Sequence, residues 1–222
     1  MKPKYFLFAF TFFLLSNCNS KEDEKYADKL EDFAVSMKNK YGAEYQDKVE
    51  FYELNSFSDS INGVPIGNYS FKDYYGNEIN LLTASKPVLL EFFASWCAPC
   101  ISSIPALNKL SLEYPEVRFI VLAHDTSDKL KKYADQFNSN IHLIPSDKEV
   151  NAGKLLKLEV GEFQSVFPFP ATFSIDANGI IQNVLLGAPR SGTFGGIKVT
   201  EEEVHEANLL RLRRELDKIV SK

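Results

Sequence analysis

Cysteine is scarce in this chain of 222 residues, which has three. A scaffold held together by several disulfides is therefore excluded. Histidine is equally scarce. His124, His142 and His205 stand far apart with no ligand-like spacing, so Cys97 and Cys100 cannot be completed into a structural zinc site, and neither a metal nor another cofactor is expected. Positive charge is also short. Lys and Arg number 25 against 30 Asp and Glu, giving a formal net charge of -5 and a pI near 5.4. Such a chain has no basic field with which to hold a polyanion, so nucleic acid is excluded as a partner. No apolar run approaches the roughly 20 residues that a membrane-crossing helix requires. Internal repeats and low-complexity blocks are likewise missing, which argues against solenoids and disordered tracts.

What is present suits one ordinary domain with extensions. Hydrophobic residues make up 45% of the chain and aromatics 13%, including 18 Phe and 10 Tyr, enough for a packed core. At the N-terminus, Lys2 and Lys4 precede an apolar stretch over 5–15, the length of the hydrophobic part of an export signal. The tetrad Leu15-Ser16-Asn17-Cys18 resembles a bacterial lipobox. That resemblance implies removal of a signal peptide of 1–17, lipidation of Cys18 and attachment to the membrane through the lipid. The expected location is the bacterial cell envelope, facing the periplasm. The acidic stretch over 19–24 resembles signals that route lipoproteins to the outer-membrane surface, the alternative placement.

Along the mature chain, Leu30, Phe33, Ala34 and Met37 recur at helical spacing, predicting an amphipathic helix over 24–40 that stands the domain off the membrane. Residues 49–57 alternate like a strand, and turn residues over 61–65 place a boundary near 60. The expected organisation is thus a tether and helical extension over 18–59 and a core domain over 60–222. Short strands on either side of the turn at 74–77 predict a hairpin at the start of that domain. Residues 88–93 form a continuous apolar run interrupted by Glu91, as expected of a central strand buried on both faces. A helix over 99–113, a strand over 117–123 and a helix over 127–137 continue in βαβ order. An irregular region over 141–167, a second hairpin over 171–186 and a final helix over 201–220 complete the chain.

Chemistry concentrates in Trp96-Cys97-Ala98-Pro99-Cys100. Cysteines at i and i+3 on the first turn of a helix share one face, close enough to form and break a disulfide. Cys97, at the strand-to-helix junction, would face unpaired backbone N–H groups and the positive end of the helix dipole, which favour its thiolate. It is the expected nucleophile, and Cys100, deeper in the helix, is expected to resolve the mixed disulfide. Pro99 occupies an early helical position where loss of the N–H is tolerated.

The segment from Glu91 to Cys100 resembles the active-site strand and turn of the thioredoxin superfamily, and in particular its membrane-anchored TlpA/ResA-like branch. Gly76 with Leu81, Pro105, and Phe169-Pro170-Ala171-Thr172-Phe173-Ser174-Ile175-Asp176 with Gly179 extend the similarity over residues 60 to 220. The resemblance implies an α/β fold of thioredoxin type, with a central mixed β-sheet flanked by helices and preceded by an N-terminal β-hairpin and helical extension. It further implies reversible dithiol exchange with disulfide-containing envelope proteins, fed by an upstream dithiol electron donor. Pro170 matches the family's cis-proline beside the disulfide, and Phe169 before it would offer its backbone to an extended substrate segment. Glu91 matches the buried acid. A carboxyl in an apolar strand should have a raised pKa suited to exchanging the proton of Cys100. Trp96 is expected to shield Cys97 and touch the partner, Pro105 to kink the helix, and the protein to be a monomer. His124-Asp125 reads as loop polarity, and Arg211, Arg213 and Arg214 as a solvated face.

The turn resembles reducing members of the superfamily, so a protein-disulfide reductase is the first reading. An oxidant or isomerase of the same fold, or a lipoprotein binding module whose disulfide only staples a helix, are the alternatives. A peroxidase would need a peroxidatic cysteine in a different loop, which the sequence lacks.

Overall fold

A computed structural model describes residues 24–83, 85–147 and 158–220. The expected signal peptide, Cys18 and most of the acidic stretch lie outside the described residues. Helices α1 (Tyr26–Tyr41) and α2 (Phe51–Ser60) come first, joined by a 3-10 turn at Tyr45–Asp47. The hairpin of β1 (Ser70–Lys72) and β2 (Glu78–Asn80) follows, its turn closed by Gly76 at φ +86° and by the Asp73 carboxylate, which accepts from the N–H groups of Tyr75 and Asn77. Then come β3 (Val88–Phe93), α3 (Ala98–Glu113), β4 (Arg118–Ala123), α4 (Ser127–Ala134) and β5 (Ile141–Ile144). Three further hairpins are β6 (Leu158–Val160) with β7 (Phe163–Ser165), β8 (Ala171–Ile175) with β9 (Ile181–Leu186), and β10 (Gly192–Phe194) with β11 (Ile197–Val199). Helix α5 (Glu201–Val220) closes the chain.

Five strands form the central sheet in the order β5-β4-β3-β8-β9. Strands β3, β4 and β5 run parallel, β8 runs antiparallel to β3, and β9 is antiparallel to β8, so the sheet is mixed as expected. Side chains alternate across it with period two. Val88, Leu90 and Phe92 face one apolar cluster, with α1, α2 and the β6–β7 hairpin, whereas Leu89 and Phe93 face a second, with α3, α4 and α5. A sheet buried on both faces favours apolar residues on both sides of a strand, which is why β3 reads as an apolar run broken only by Glu91.

Three expectations fail here. Residues 51–60 are helical rather than extended. Glu50 and Glu53 form a capping box, and burial of Glu53, Leu54, Phe57 and Ser58 follows helical spacing. Lys40 on α1 meets Glu53 at 2.6 Å, tying the two helices together. Neither is α1 a stand-off, since Tyr26 is fully buried and stacks on Phe163 with ring centroids 5.7 Å apart. The region over 141–167, read as irregular, supplies β5, β6 and β7, strands of three or four residues, too short for periodicity to register.

Candidate active site

The sheet places the reactive turn at the C-terminal end of β3. After Phe93 the chain passes through Ala94-Ser95-Trp96 and enters α3, with Cys97 as its N-cap. Cys97 and Cys100 are joined as a disulfide with Cα atoms 5.3 Å apart. The backbone N–H of Cys100 donates to the Cys97 sulfur at 3.3 Å. An N-cap acceptor is where a helix stabilises negative charge, so the geometry favours Cys97 as the thiolate once the pair is reduced. Both are buried, Cys100 at 1% more completely than Cys97 at 4%.

Asp125 holds the turn. Its carboxylate accepts from the Ser95 N–H at 2.6 Å and the Ser95 hydroxyl at 2.9 Å, while the Tyr133 hydroxyl donates to the Ser95 carbonyl at 3.0 Å. His124 and Asp125 are therefore not loop polarity. At 3% and 5% exposure they are interior, because β4 ends beside β3 and the His124 N–H donates to the Phe93 carbonyl at 2.8 Å. Nor are they a dyad, since neither ring nitrogen of His124 has a hydrogen-bond partner. Its ring packs edge-on against Trp96, centroids 6.2 Å apart, and against Phe169 at 5.3 Å; Trp96 and Phe169 meet at 5.5 Å.

The Phe169-Pro170 peptide bond is cis, as the resemblance implied. Trp96 is 43% exposed and Phe169 half-buried, so a mixed surface of aromatic rings stands beside Cys97. Burial lowers the His124 pKa, with Asp125 opposing and Lys129 adding to the shift. A histidine depressed in the fold binds fewer protons than in the unfolded chain, whose value is about 6.5, so the protein should lose stability as pH falls from there through the folded value. Urea unfolding at pH 7.5 and 5.5 should show this loss, and His124→Phe should reduce it; an equal loss in the variant would exclude His124 as a source.

Glu91 on β3 points to the α3/α5 side and is 2% exposed. It is not isolated among apolar groups, as the sequence suggested. The Ser103 hydroxyl on α3 lies 2.7 Å from Oε1 and the Thr172 hydroxyl on β8 donates to Oε2 at 2.9 Å, while Arg211 Nη2 lies 3.7 Å from Oε1. Ser103 also lies 2.7 Å from the Cys100 carbonyl, one turn behind the disulfide. Arg211 is thus no part of a solvated face. Its side chain is 13% exposed, and α5 carries an inward seam of Asn208, Arg211 and Glu215 between its leucines. Arg213 pairs with Glu113, and Arg214 alone of the three is exposed. Ser103, Thr172 and Arg211 were not legible as site residues because each reaches Glu91 from a different element. The i+3 offset of Ser103 from Cys100 was the nearest thing to a signal. Pro105 sits within α3, which continues through it to Glu113.

Among the described residues no cluster of three metal-binding side chains occurs, and no helix is long and apolar enough to cross a membrane. The AhpC/TSA family model matches residues 63–184, more than half of the chain. Thioredoxin-like protein YneN of Bacillus subtilis is 29% identical over 126 residues, 54% of this chain and 68% of YneN. Thiol-disulfide oxidoreductase ResA of Oceanobacillus iheyensis is 32% identical over 108 residues, 46% of this chain, which spans only 50% of ResA. A solved thiol:disulfide interchange protein from Bacteroides sp. superposes with a TM-score of 0.46 at 20% identity, covering 72% of this chain and 91% of that one.

Proposed function

Because this chain belongs to the AhpC/TSA family and is a thiol:disulfide oxidoreductase of thioredoxin type, we propose that it works as a reductant of disulfides in envelope proteins. The observation that carries the reading is the Cys97–Cys100 disulfide at the first turn of α3, with the Cys97 sulfur at the N-cap accepting the Cys100 N–H. In the reduced protein the Cys97 thiolate attacks a substrate disulfide and one substrate thiol leaves. Cys100 then loses its proton and attacks the Cys97 sulfur, which closes the disulfide and frees the second substrate thiol. Two electrons and two protons pass to the substrate. An upstream dithiol protein restores the pair by the reverse route.

Glu91 is the group we assign to take the proton of Cys100. Trp96, Phe169 and Pro170 form the docking surface, on which an extended substrate segment pairs with the backbone at Phe169. The chain is anchored through lipid on Cys18, with residues 1–17 removed, 18–59 as a tether and a helical extension whose α1 and α2 pack on the core, and 60–222 as the catalytic domain. It acts as a monomer facing the periplasm.

Equilibration with a glutathione buffer tests the direction of transfer. A reductant should give a potential near the roughly −270 mV of thioredoxins. A value near the roughly −120 mV of a dedicated disulfide donor would overturn the reductant reading and leave an oxidant of the same fold.

A further inference from the structure

We propose that Arg211 is a positioning residue for the second exchange step, acting on Cys100 through Glu91; the inference rests on the reading of Glu91 as proton acceptor. A guanidinium stays cationic in a protein, so a mostly buried one needs an anion. Two carboxylates face it, Glu91 from β3 and Glu215 from its own helix. Glu215 is engaged by the Ser174 hydroxyl at 2.7 Å, the Asn183 amide at 2.9 Å and Lys218 at 2.8 Å. Glu91, 3.7 Å from Nη2, is the counter-ion left to Arg211, and Nη2 makes no hydrogen bond of its own.

The hydrogen bonds also have a direction. Arg211 Nη1 donates to the Thr172 hydroxyl at 3.4 Å, and an arginine can only donate. Thr172 must therefore accept, which leaves its single proton for Glu91 Oε2. Arg211 Nε donates to Asn208 at 2.7 Å, and the Asn208 amide donates to the Ser102 carbonyl at 3.3 Å, so the arginine is braced against the active-site helix itself. Across the site, Ser103 has one proton and two acceptors at 2.7 Å, Glu91 Oε1 and the Cys100 carbonyl. Charge and orientation supplied from α5 through Thr172 thus fix how the carboxylate is presented to Ser103 and, through it, to the turn of α3 that carries Cys100. When Cys100 gives its proton to Glu91 and its sulfur bonds to Cys97, the departing thiolate carries away the electron pair of the mixed disulfide. Arg211 neither gains nor loses anything in the step.

Ellman's reagent separates the two steps, because the reduced protein releases one thionitrobenzoate when Cys97 attacks and a second when Cys100 closes the disulfide. In stopped flow, Arg211→Met should leave the first release within about twofold of wild type and slow the second about tenfold or more. Arg211→Lys, which keeps the charge, should recover most of the second rate. In a Glu91→Gln background, Arg211→Met should add no more than about twofold. A second release at the wild-type rate in Arg211→Met, an equal slowing of both releases, or an undiminished arginine effect in the Glu91→Gln background would each overturn the proposal. Should Glu91→Gln itself release the second thionitrobenzoate normally, the Glu91 reading falls and this one with it. A slow Glu91→Gln beside a normal Arg211→Met sinks the arginine alone.

Discussion

Cys100→Ala is expected to convert the protein from a turnover catalyst into a trap, with steady-state disulfide reduction falling at least about a thousandfold and mixed disulfides accumulating on Cys97. The magnitude follows from the lost proximity, since a resolving thiol fixed next to its target acts at an effective concentration far above any free thiol. Cys100 is held one helical turn from Cys97, with Cα atoms 5.3 Å apart. Its backbone N–H, 3.3 Å from the Cys97 sulfur, remains when the side chain is cut back, so the attacking thiolate keeps its stabilising donor. Non-reducing electrophoresis and mass spectrometry after incubation with oxidised envelope proteins would show the adducts. Cys97→Ala should yield none. Failure of Cys100→Ala to capture any partner, with Cys97 demonstrably free, would favour a binding module whose disulfide merely staples α3.

Tyr26→Ala should destabilise the fold by about 3–5 kcal/mol, the range for removing a large buried aromatic. Tyr26 is fully buried, stacks on Phe163 and meets Phe173 of β8 edge-on at 5.6 Å. Its N–H donates to the Pro65 carbonyl at 2.9 Å, which pins the start of α1 to the core domain. Equilibrium urea unfolding would measure the change. A loss within about 0.5 kcal/mol, typical of surface positions, would return α1 to the status of a mere tether. The same helix could not be placed from its own pattern. A stripe of Leu30, Phe33, Ala34 and Met37 states that a helix has an apolar side but not what covers it; Tyr26, one turn before Leu30 on the same side, meets Phe163 and Phe173 of the core domain, which no spacing within α1 records.

The remaining differences share this cause. Residues 49–57 mix apolar and polar residues in a way that suits either period. A capping box at Glu50 and Glu53 and the packing of Leu54 and Phe57 on the sheet decide for helix. Arg211 reads as one charge in a basic stretch, and only the approach of α5 to β3 and β8 turns it into the partner of Glu91. His124 reads as polar, yet the adjacency of β3 and β4 buries it beneath Trp96 and Phe169.

By itself the sequence determined the reactive turn, the order of the βαβ elements, the burial of the strand over 88–93 and the position of the helix carrying Cys97 and Cys100, because each depends on residues close together in the chain. The tertiary structure alone decided what stands beneath and around that turn: Ser103, Thr172 and Arg211 about Glu91, and the Trp96, His124 and Phe169 rings beside Cys97. Those contacts join residues separated by tens of positions, and no local periodicity records which distant side chain will meet a buried charge or an exposed ring.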